Sequence, residues 1–287
     1  MSRTAYVNGQ YQPIAQACVH VEDRGFQFAD GVYEVWAVLD GKLVEWEGHA
    51  GRLERSLGEL GMPAPMTQAA LKVVLRETLR RNRVSNGIVY IQVTRGAWPR
   101  DHAYPPPETP QTVVVTAKRL DFAAMEAKAA KGVGVVTTPE NRWGRCDIKT
   151  VGLLSNAMAK QKARGAGAFE AWFVDDLGLV TEGSSTNAWI VDADGRLRTR
   201  DTNCNILRGI TRRSLIDVAR DAGVDVAEQP FSVEDARAAR EAFVTSASAF
   251  VMPIVSVDGA KVGDGKPGPV TQRLRSLYLD HARATAV

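Results

Sequence analysis

Val180-Thr181-Glu182-Gly183-Ser184-Ser185-Thr186-Asn187-Ala188-Trp189-Ile190 is the stretch that says most about this chain. An apolar run ends on a carboxylate, four small residues follow, and a second apolar run begins. Read locally, this is a pair of β-strands joined by a tight turn whose small residues can point backbone N–H groups at a ligand. A carboxylate beside a pyridine nitrogen keeps that nitrogen protonated, so the ring can draw electrons, and Glu182 is placed for such work. The plainer alternative is a strand-end turn with a surface glutamate. Gly183-Ser184-Ser185-Thr186 lacks the closing glycine of a nucleophile elbow, which argues against a serine hydrolase.

Outward from this point the chain reads as strands, hairpins and intervening helices. Residues 170–191 hold three strands, with turns at 175–178 and 192–195. Asn8-Gly9 predicts a hairpin. Residues 32–39 predict a strand, Asp40-Gly41 a turn, and residues 42–46 a return strand. Leu53, Leu57 and Leu60 recur at helical spacing, and Thr67 is a candidate cap for a helix burying Leu71, Val74, Leu75 and Leu79. Strands are predicted at 87–94 and 112–118, separated by a long proline-rich loop, residues 96–110. Beyond the Ala- and Lys-rich segment 120–132 come a strand at 132–137, a charged loop, and a helix over 153–166. Further helices are predicted near Thr211, after Ser232 and over 270–284, with strands at 242–245 and 254–257. Hairpins dominate and strand-helix-strand alternation is weak. The expected fold class is therefore α+β with largely antiparallel sheets, not a doubly wound parallel sheet. The expected domains are 1–122, a linker at 123–131, and 132–287.

Composition excludes several classes of function. Lys plus Arg (36) exceeds Asp plus Glu (33) by three and the basic residues are scattered, so no nucleic-acid partner is expected. No apolar run reaches the ~18 residues of a membrane span, and residues 1–13 carry no apolar signal segment. Cys18, Cys146 and Cys204 form neither a disulfide framework nor a metal pattern, and the four histidines are dispersed, so no metal is expected and a cytoplasmic setting is. Gly263-Asp264-Gly265-Lys266-Pro267-Gly268 satisfies a dinucleotide string but lacks the strand-to-helix context and contains Pro267; a surface loop is the better reading.

Arg142-Trp143-Gly144-Arg145-Cys146-Asp147-Ile148-Lys149-Thr150 is the second informative stretch. A half-buried lysine with a lowered pKa is a nucleophile for carbonyl carbon. From this window alone, a solvated loop lysine is the better reading.

Three separated elements change that. Glu182 to Asn187, Leu197-Arg198-Thr199, and Leu207-Arg208-Gly209-Ile210-Thr211-Arg212 together resemble, in order and spacing, the signature of the class IV aminotransferases, the fold-type IV pyridoxal-phosphate enzymes. Trp189 departs from the Phe or Tyr usual there. The resemblance to the D-amino-acid aminotransferases extends over nearly the whole chain, through Glu22-Asp23-Arg24-Gly25-Phe26-Gln27-Phe28-Ala29-Asp30-Gly31-Val32-Tyr33-Glu34-Val35, Gln92-Val93-Thr94-Arg95-Gly96, Pro99-Arg100-Asp101-His102, the Lys149 segment and Phe243-Val244-Thr245-Ser246.

The resemblance implies a two-domain fold-type IV enzyme: a smaller N-terminal α/β sandwich, a larger C-terminal pseudo-barrel, and pyridoxal 5'-phosphate at their interface. Lys149 would be the Schiff-base lysine and catalytic proton shuttle, and Glu182 the partner of the pyridine nitrogen. Arg52 would bind the phosphate, its planar fork suiting that role. Backbone groups of Ile210 and Thr211, at a helix start, and Ser246 with Ala247 would add phosphate contacts. Many D-amino-acid members have a hydroxyl residue where Ala247 stands, which leaves a backbone contact there. Tyr33, Arg100 and His102 match the trap for the substrate carboxylate, the last two reaching in from a second copy of a homodimer. The implied reaction is ping-pong transamination between a D-amino acid such as D-alanine and a 2-oxo acid such as 2-oxoglutarate. Alternatives of the same fold are a branched-chain L-aminotransferase, an (R)-amine transaminase and an aminodeoxychorismate lyase; a non-catalytic protein that kept the scaffold is the alternative from another class. Arg142 and Arg145 receive no role.

Overall fold

Asn8 and Gly9 both take left-handed backbone angles (φ 47° and 94°), and this folds β1 (Thr4–Val7) back onto β2 (Gln10–Pro13) as expected. The computed structural model describes residues 3–202 and 205–287; Cys204 lies outside the described residues. A short helix α1 (Arg24–Phe28), capped by the Asp23 carboxylate accepting from Phe26 N–H, leads into β3 (Gly31–Leu39) and β4 (Lys42–Leu43). The expected return strand through residue 46 is cut to two residues. Glu45 sits at φ 53°, which no strand can continue through, and Trp46 already opens α2 (Trp46–Glu59). Thr67 caps α3 (Gln68–Asn82) as read, with Leu71, Leu75 and Leu79 buried. β5 (Gly87–Thr94) and β6 (Thr112–Arg119) complete a six-stranded sheet, ordered β2-β1-β6-β5-β3-β4 and antiparallel throughout. α2 and α3 bury their apolar stripes in the core that holds Trp36, Trp46, Leu57, Leu75 and Ile91.

The chain divides into two compact units. The first is residues 3–121 with 148–152 and 285–287; the second is residues 122–147 and 153–284. Residues 123–131, expected as a linker, are helical: Ala and Lys are strong helix formers, and they build α4 (Phe122–Lys131) within the second unit.

The second unit continues with β7 (Val133–Pro139), α5 (Leu154–Gly165), β8 (Glu170–Val174), β9 (Val180–Gly183), β10 (Asn187–Val191) and β11 (Leu197–Thr199). Then come α6 (Ile210–Asp221), β12 (Val226–Glu228), α7 (Val233–Ala238) with a Ser232–Asp235 capping box, β13 (Glu241–Ser246), β14 (Phe250–Val257), β15 (Ala260–Lys261) and α8 (Pro269–Thr285). The sheet runs β12-β11-β10-β13-β14-β7-β8-β9, with β15 on β14. It is more mixed than expected: β7 and β8 pair in parallel across the α5 crossover, and β14–β7 and β11–β12 are parallel too. β9 lies five ladder steps from β10, about 24 Å if the sheet were flat. Yet only Ser184, Ser185 and Thr186 join them, a link that reaches at most about 14 Å. The sheet therefore curls on itself into a half-barrel, and the turn between β9 and β10 marks where it closes. No helix among the described residues is long and apolar enough to cross a membrane.

Candidate active site

In the first unit, the residues around Lys149 run beside the start of β3. Lys149 C=O accepts from Tyr33 N–H (3.0 Å), and Val151 N–H donates to Gly31 C=O (3.0 Å). β4 occupies the far end of β3, so this side of Gly31 and Tyr33 is available for such a pairing. Lys149 is half-buried, and its Nζ stands 4.2 Å from the centroid of the Tyr33 ring. Thus the structure joins two of the expected site residues through backbone and side chain alike. Tyr33 in turn rests on Tyr90, ring centroids 5.5 Å apart.

Arg52 lies on the buried face of α2. Its Nε and Nη2 donate to the two carboxylate oxygens of Glu34 (2.8 and 2.7 Å), and His49 Nδ1 is 3.0 Å from the same carboxylate. Burial alone would push the Glu34 carboxyl up, but Arg52 and His49 outweigh it and hold Glu34 far below the usual range. Sequence reasoning missed Glu34. The alternation of β3 puts it on the opposite face from Tyr33 and Val35, and only the helical register of His49 and Arg52, three residues apart, reveals its partners.

Arg100 and His102 stand exposed in the 96–110 loop and gather on one ring: the Arg100 guanidinium is 4.9 Å from the Phe28 centroid, and the His102 ring centroid is 5.5 Å from it.

In the second unit, Glu182 is the last residue but one of β9, nearly fully buried. Arg142 Nη1 donates to its Oε1 (2.5 Å), Asn187 Nδ2 to its Oε2 (3.0 Å), and Leu207 N–H to both (3.1 and 3.2 Å). Burial pushes the Glu182 carboxyl up, and Arg142 and the Leu207 N–H pull against it without prevailing. Such a carboxylate is short of positive charge, so a protonated ring nitrogen fits it as the missing partner. Arg142 is also gripped by Glu140 through Nε and Nη2 (2.8 and 2.6 Å) and lies 4.4 Å over the Phe173 ring. Its role was invisible in the sequence because Glu182 is 40 residues away.

Asn187 links Glu182 to the start of α6. Its side chain donates to Leu207 C=O (3.0 Å), and a Cβ on Gly209 would fall 2.0 Å from Asn187 Oδ1. Gly209 is the N-cap and offers no side chain to the first turn of α6, where Ile210 and Thr211 are buried. Tyr278 Oη donates to Thr211 Oγ1 (3.3 Å). Asn187 is also in register with Thr245, which brings Ser246, the last residue of β13, and Ala247 just beyond it, both half-buried, to the same edge. Ser246 Oγ accepts from Ala249 N–H (3.2 Å) and closes that turn. A strand-end carboxylate, a helix start without a side-chain cap and a tight turn therefore converge, the set an anionic, aromatic cofactor needs. Trp189 is fully buried, stacked on Phe243, with Nε1 donating to Thr245 Oγ1 (3.0 Å).

Comparison with known proteins completes the picture. A family model described as amino-transferase class IV matches residues 31–257. The chain is 39% identical over 269 residues to a D-alanine aminotransferase of Bacillus licheniformis, covering 94% of this chain and 93% of that one. It is 40% identical over 274 residues to the D-alanine aminotransferase of Staphylococcus haemolyticus, covering 95% of each. Among solved structures, the branched-chain amino acid aminotransferase of Escherichia coli matches with a TM-score of 0.90 at 26% identity, over 98% of this chain and 95% of that one. A T.th. branched-chain amino acid aminotransferase with pyridoxamine 5'-phosphate matches with a TM-score of 0.90 at 27% identity, over 100% and 98%.

Proposed function

The chain belongs to the class IV aminotransferases, enzymes that work with pyridoxal 5'-phosphate, and on that premise we propose that it moves the amino group of D-alanine or a similar D-amino acid to a 2-oxo acid such as 2-oxoglutarate. The relatives named for D-alanine are 39% and 40% identical nearly end to end, whereas the branched-chain enzymes share the fold at 26% and 27%. The observation that carries the D-amino-acid reading is the pair Arg100 and His102 gathered on Phe28, one cation and one imidazole presented together for a carboxylate.

When bound, the cofactor supplies an electron sink for the pair of electrons left as the substrate Cα–H bond breaks. Lys149 Nζ would take the Cα proton and hold it for return, a role for which a half-buried amine beside Tyr33 is suited. Glu182 holds a proton on the ring nitrogen, with Arg142 and Asn187 keeping the carboxylate aimed. Arg52, oriented by Glu34, would hold the phosphate, a role also open to the backbone N–H groups of Ile210 and Thr211 and to the Ser246-Ala247 turn. Tyr33 binds the substrate carboxylate with Arg100 and His102, these two offered by a second copy in a homodimer. We also place the enzyme in the cytoplasm, in keeping with Cys18 and Cys146 standing as free thiols.

The test is amino transfer from D-alanine and, separately, L-leucine to 2-oxoglutarate. Transfer from D-alanine is expected, and it must stop when the acceptor is left out, which a pyruvate-forming lyase would not do. Transfer from L-leucine alone would overturn the D-amino-acid reading. In the same protein, Lys149→Ala is expected to abolish turnover and the cofactor's lysine-bound absorbance.

A further inference from the structure

The segment that enters β3 holds a buried cation to which the reaction above gives no part. Arg24 is 2% exposed, and its guanidinium is spent almost wholly on the loop that carries Arg100 and His102. Nη1 donates to Asp101 C=O (2.7 Å) and Ala103 C=O (3.1 Å), and Nη2 lies 3.5 Å from His102 C=O. Nε is paired with Asp30 (2.8 Å), whose carboxylate also takes Arg95 Nε (2.8 Å) at the start of the same loop. Three successive loop carbonyls thus converge on one planar fork. The backbone repeats the attachment: Arg24 N–H donates to Gly96 C=O (2.9 Å), and Arg95 N–H to Asp30 C=O (3.1 Å).

One turn on, Phe28 places its ring between the same partners. The Arg24 guanidinium is 4.7 Å from its centroid, that of Arg100 4.9 Å, and the His102 ring 5.5 Å. Arg24 therefore fixes the loop backbone and Phe28 the direction of the two side chains. Both lie on α1, which Asp23 ties to β5 by accepting from Thr94 Oγ1 (2.7 Å) as well as by capping the helix.

We propose that Arg24 and Phe28 are positioning residues for substrate recognition, setting where Arg100 and His102 meet the substrate carboxylate. The inference rests on the carboxylate role given to those two residues. A ligand held by preset groups avoids the ordering cost that a loose loop would add, and misplacement of about 1 Å can cost on the order of 100-fold. Lysine keeps the charge opposite Asp30 but cannot fork to three carbonyls.

The experiment compares Arg24→Lys, Phe28→Leu and Arg100→Ala with the parent holoenzyme. It reads KM and kcat for D-alanine, Ki for propanoate as an unreactive carboxylate, cofactor absorbance and Tm. Arg24→Lys is expected to raise KM and Ki together by about tenfold, with kcat within about threefold and the cofactor spectrum unchanged. Phe28→Leu leaves the hydrogen bonds of Arg24 intact; it is expected to move Ki the same way by less, and it decides the matter alone if Arg24→Lys does not fold. If Arg100→Ala raises Ki while Arg24→Lys and Phe28→Leu leave it unchanged, or lower only Tm, the positioning role is overturned and the carboxylate reading stands. If Arg100→Ala itself leaves KM and Ki unchanged, the carboxylate reading falls, and this inference with it.

Discussion

At Glu182 and Glu34 the same chemistry, a buried carboxylate beside an arginine, shifts the carboxyl in opposite directions. Glu34 has Arg52 on both oxygens and His49 beside it, so its charge is secure. Glu182 shares Arg142 with Glu140, and burial wins. Arg142→Gln is expected to drive Glu182 further towards its protonated form. The anion is then scarcer at a given pH, so kcat at neutral pH should fall and recover as the pH rises. A kcat-against-pH profile that keeps its parent shape would show that Arg142 does not govern this carboxylate. For Glu34 the sign is reversed. Its folded pKa lies below the ordinary 4.5, so the unfolded chain binds the proton more readily. The stability contributed by the pair is present above that value and drains away as the pH falls below it. Arg52→Met leaves Glu34 with His49 and the Val35 N–H, without its cation on both oxygens, and should cost about 3–5 kcal/mol at neutral pH. In urea denaturation of the cofactor-free protein, the gap between variant and parent should narrow as the pH is lowered below 4.5; a gap independent of pH would contradict the ion pair as its source.

Helix α6 shows how an element can be placed by its neighbours more than by its own sequence. Its N-cap is Gly209, which gives no capping side chain but lets Asn187 approach where a Cβ would stand. Gly209→Ala should therefore displace Asn187, loosening both the hold on Glu182 and the start of the helix, at a cost of roughly 1–3 kcal/mol. Cofactor titration should show weaker binding than in the parent. α7 is the control: Ser232→Ala removes the capping box and should cost about 1 kcal/mol, with kcat and cofactor affinity unmoved. Elements of this kind were legible where their signal was local. Thr67, Asn8-Gly9 and Ser232 announce their caps and turn, and the apolar alternation of β3 and β5 is plain. Reading failed where a distant partner decides. Residues 42–46 look like a strand until Glu45 turns left-handed. The strand, helix and strand around β7, α5 and β8 were each legible, but that β7 and β8 pair in parallel is decided by how the chain crosses over, which no local signal carries. Lys149, Glu182, Tyr33 and Arg52 could be named from the resemblance, but not Arg24, whose acceptors lie 77 to 79 residues downstream.

On the scale of the whole molecule, the proposal that Arg100 and His102 serve a neighbouring subunit makes a demand that no single chain can meet. In this chain both side chains are exposed and pack on Phe28, while Lys149 packs on Tyr33. A C2 dimer would supply each site with its lysine from one chain and its arginine from the other. Sedimentation should then give twice the 31.2 kDa chain mass. A sharper test uses two crippled parents. On the proposed roles, Lys149→Ala lacks the proton shuttle and Arg100→Ala holds D-alanine less well. When the two are unfolded, mixed in equal amounts and refolded, half of the dimers should be mixed. Each mixed dimer has one site combining an intact Lys149 with the intact Arg100 of the other chain, so roughly a quarter of all sites should regain parental kcat/KM. If Arg100 acted within its own chain, no intact site could form, and the mixture would show only the residual rate of Arg100→Ala. Recovery of kcat/KM on mixing therefore separates a shared site from a self-contained one.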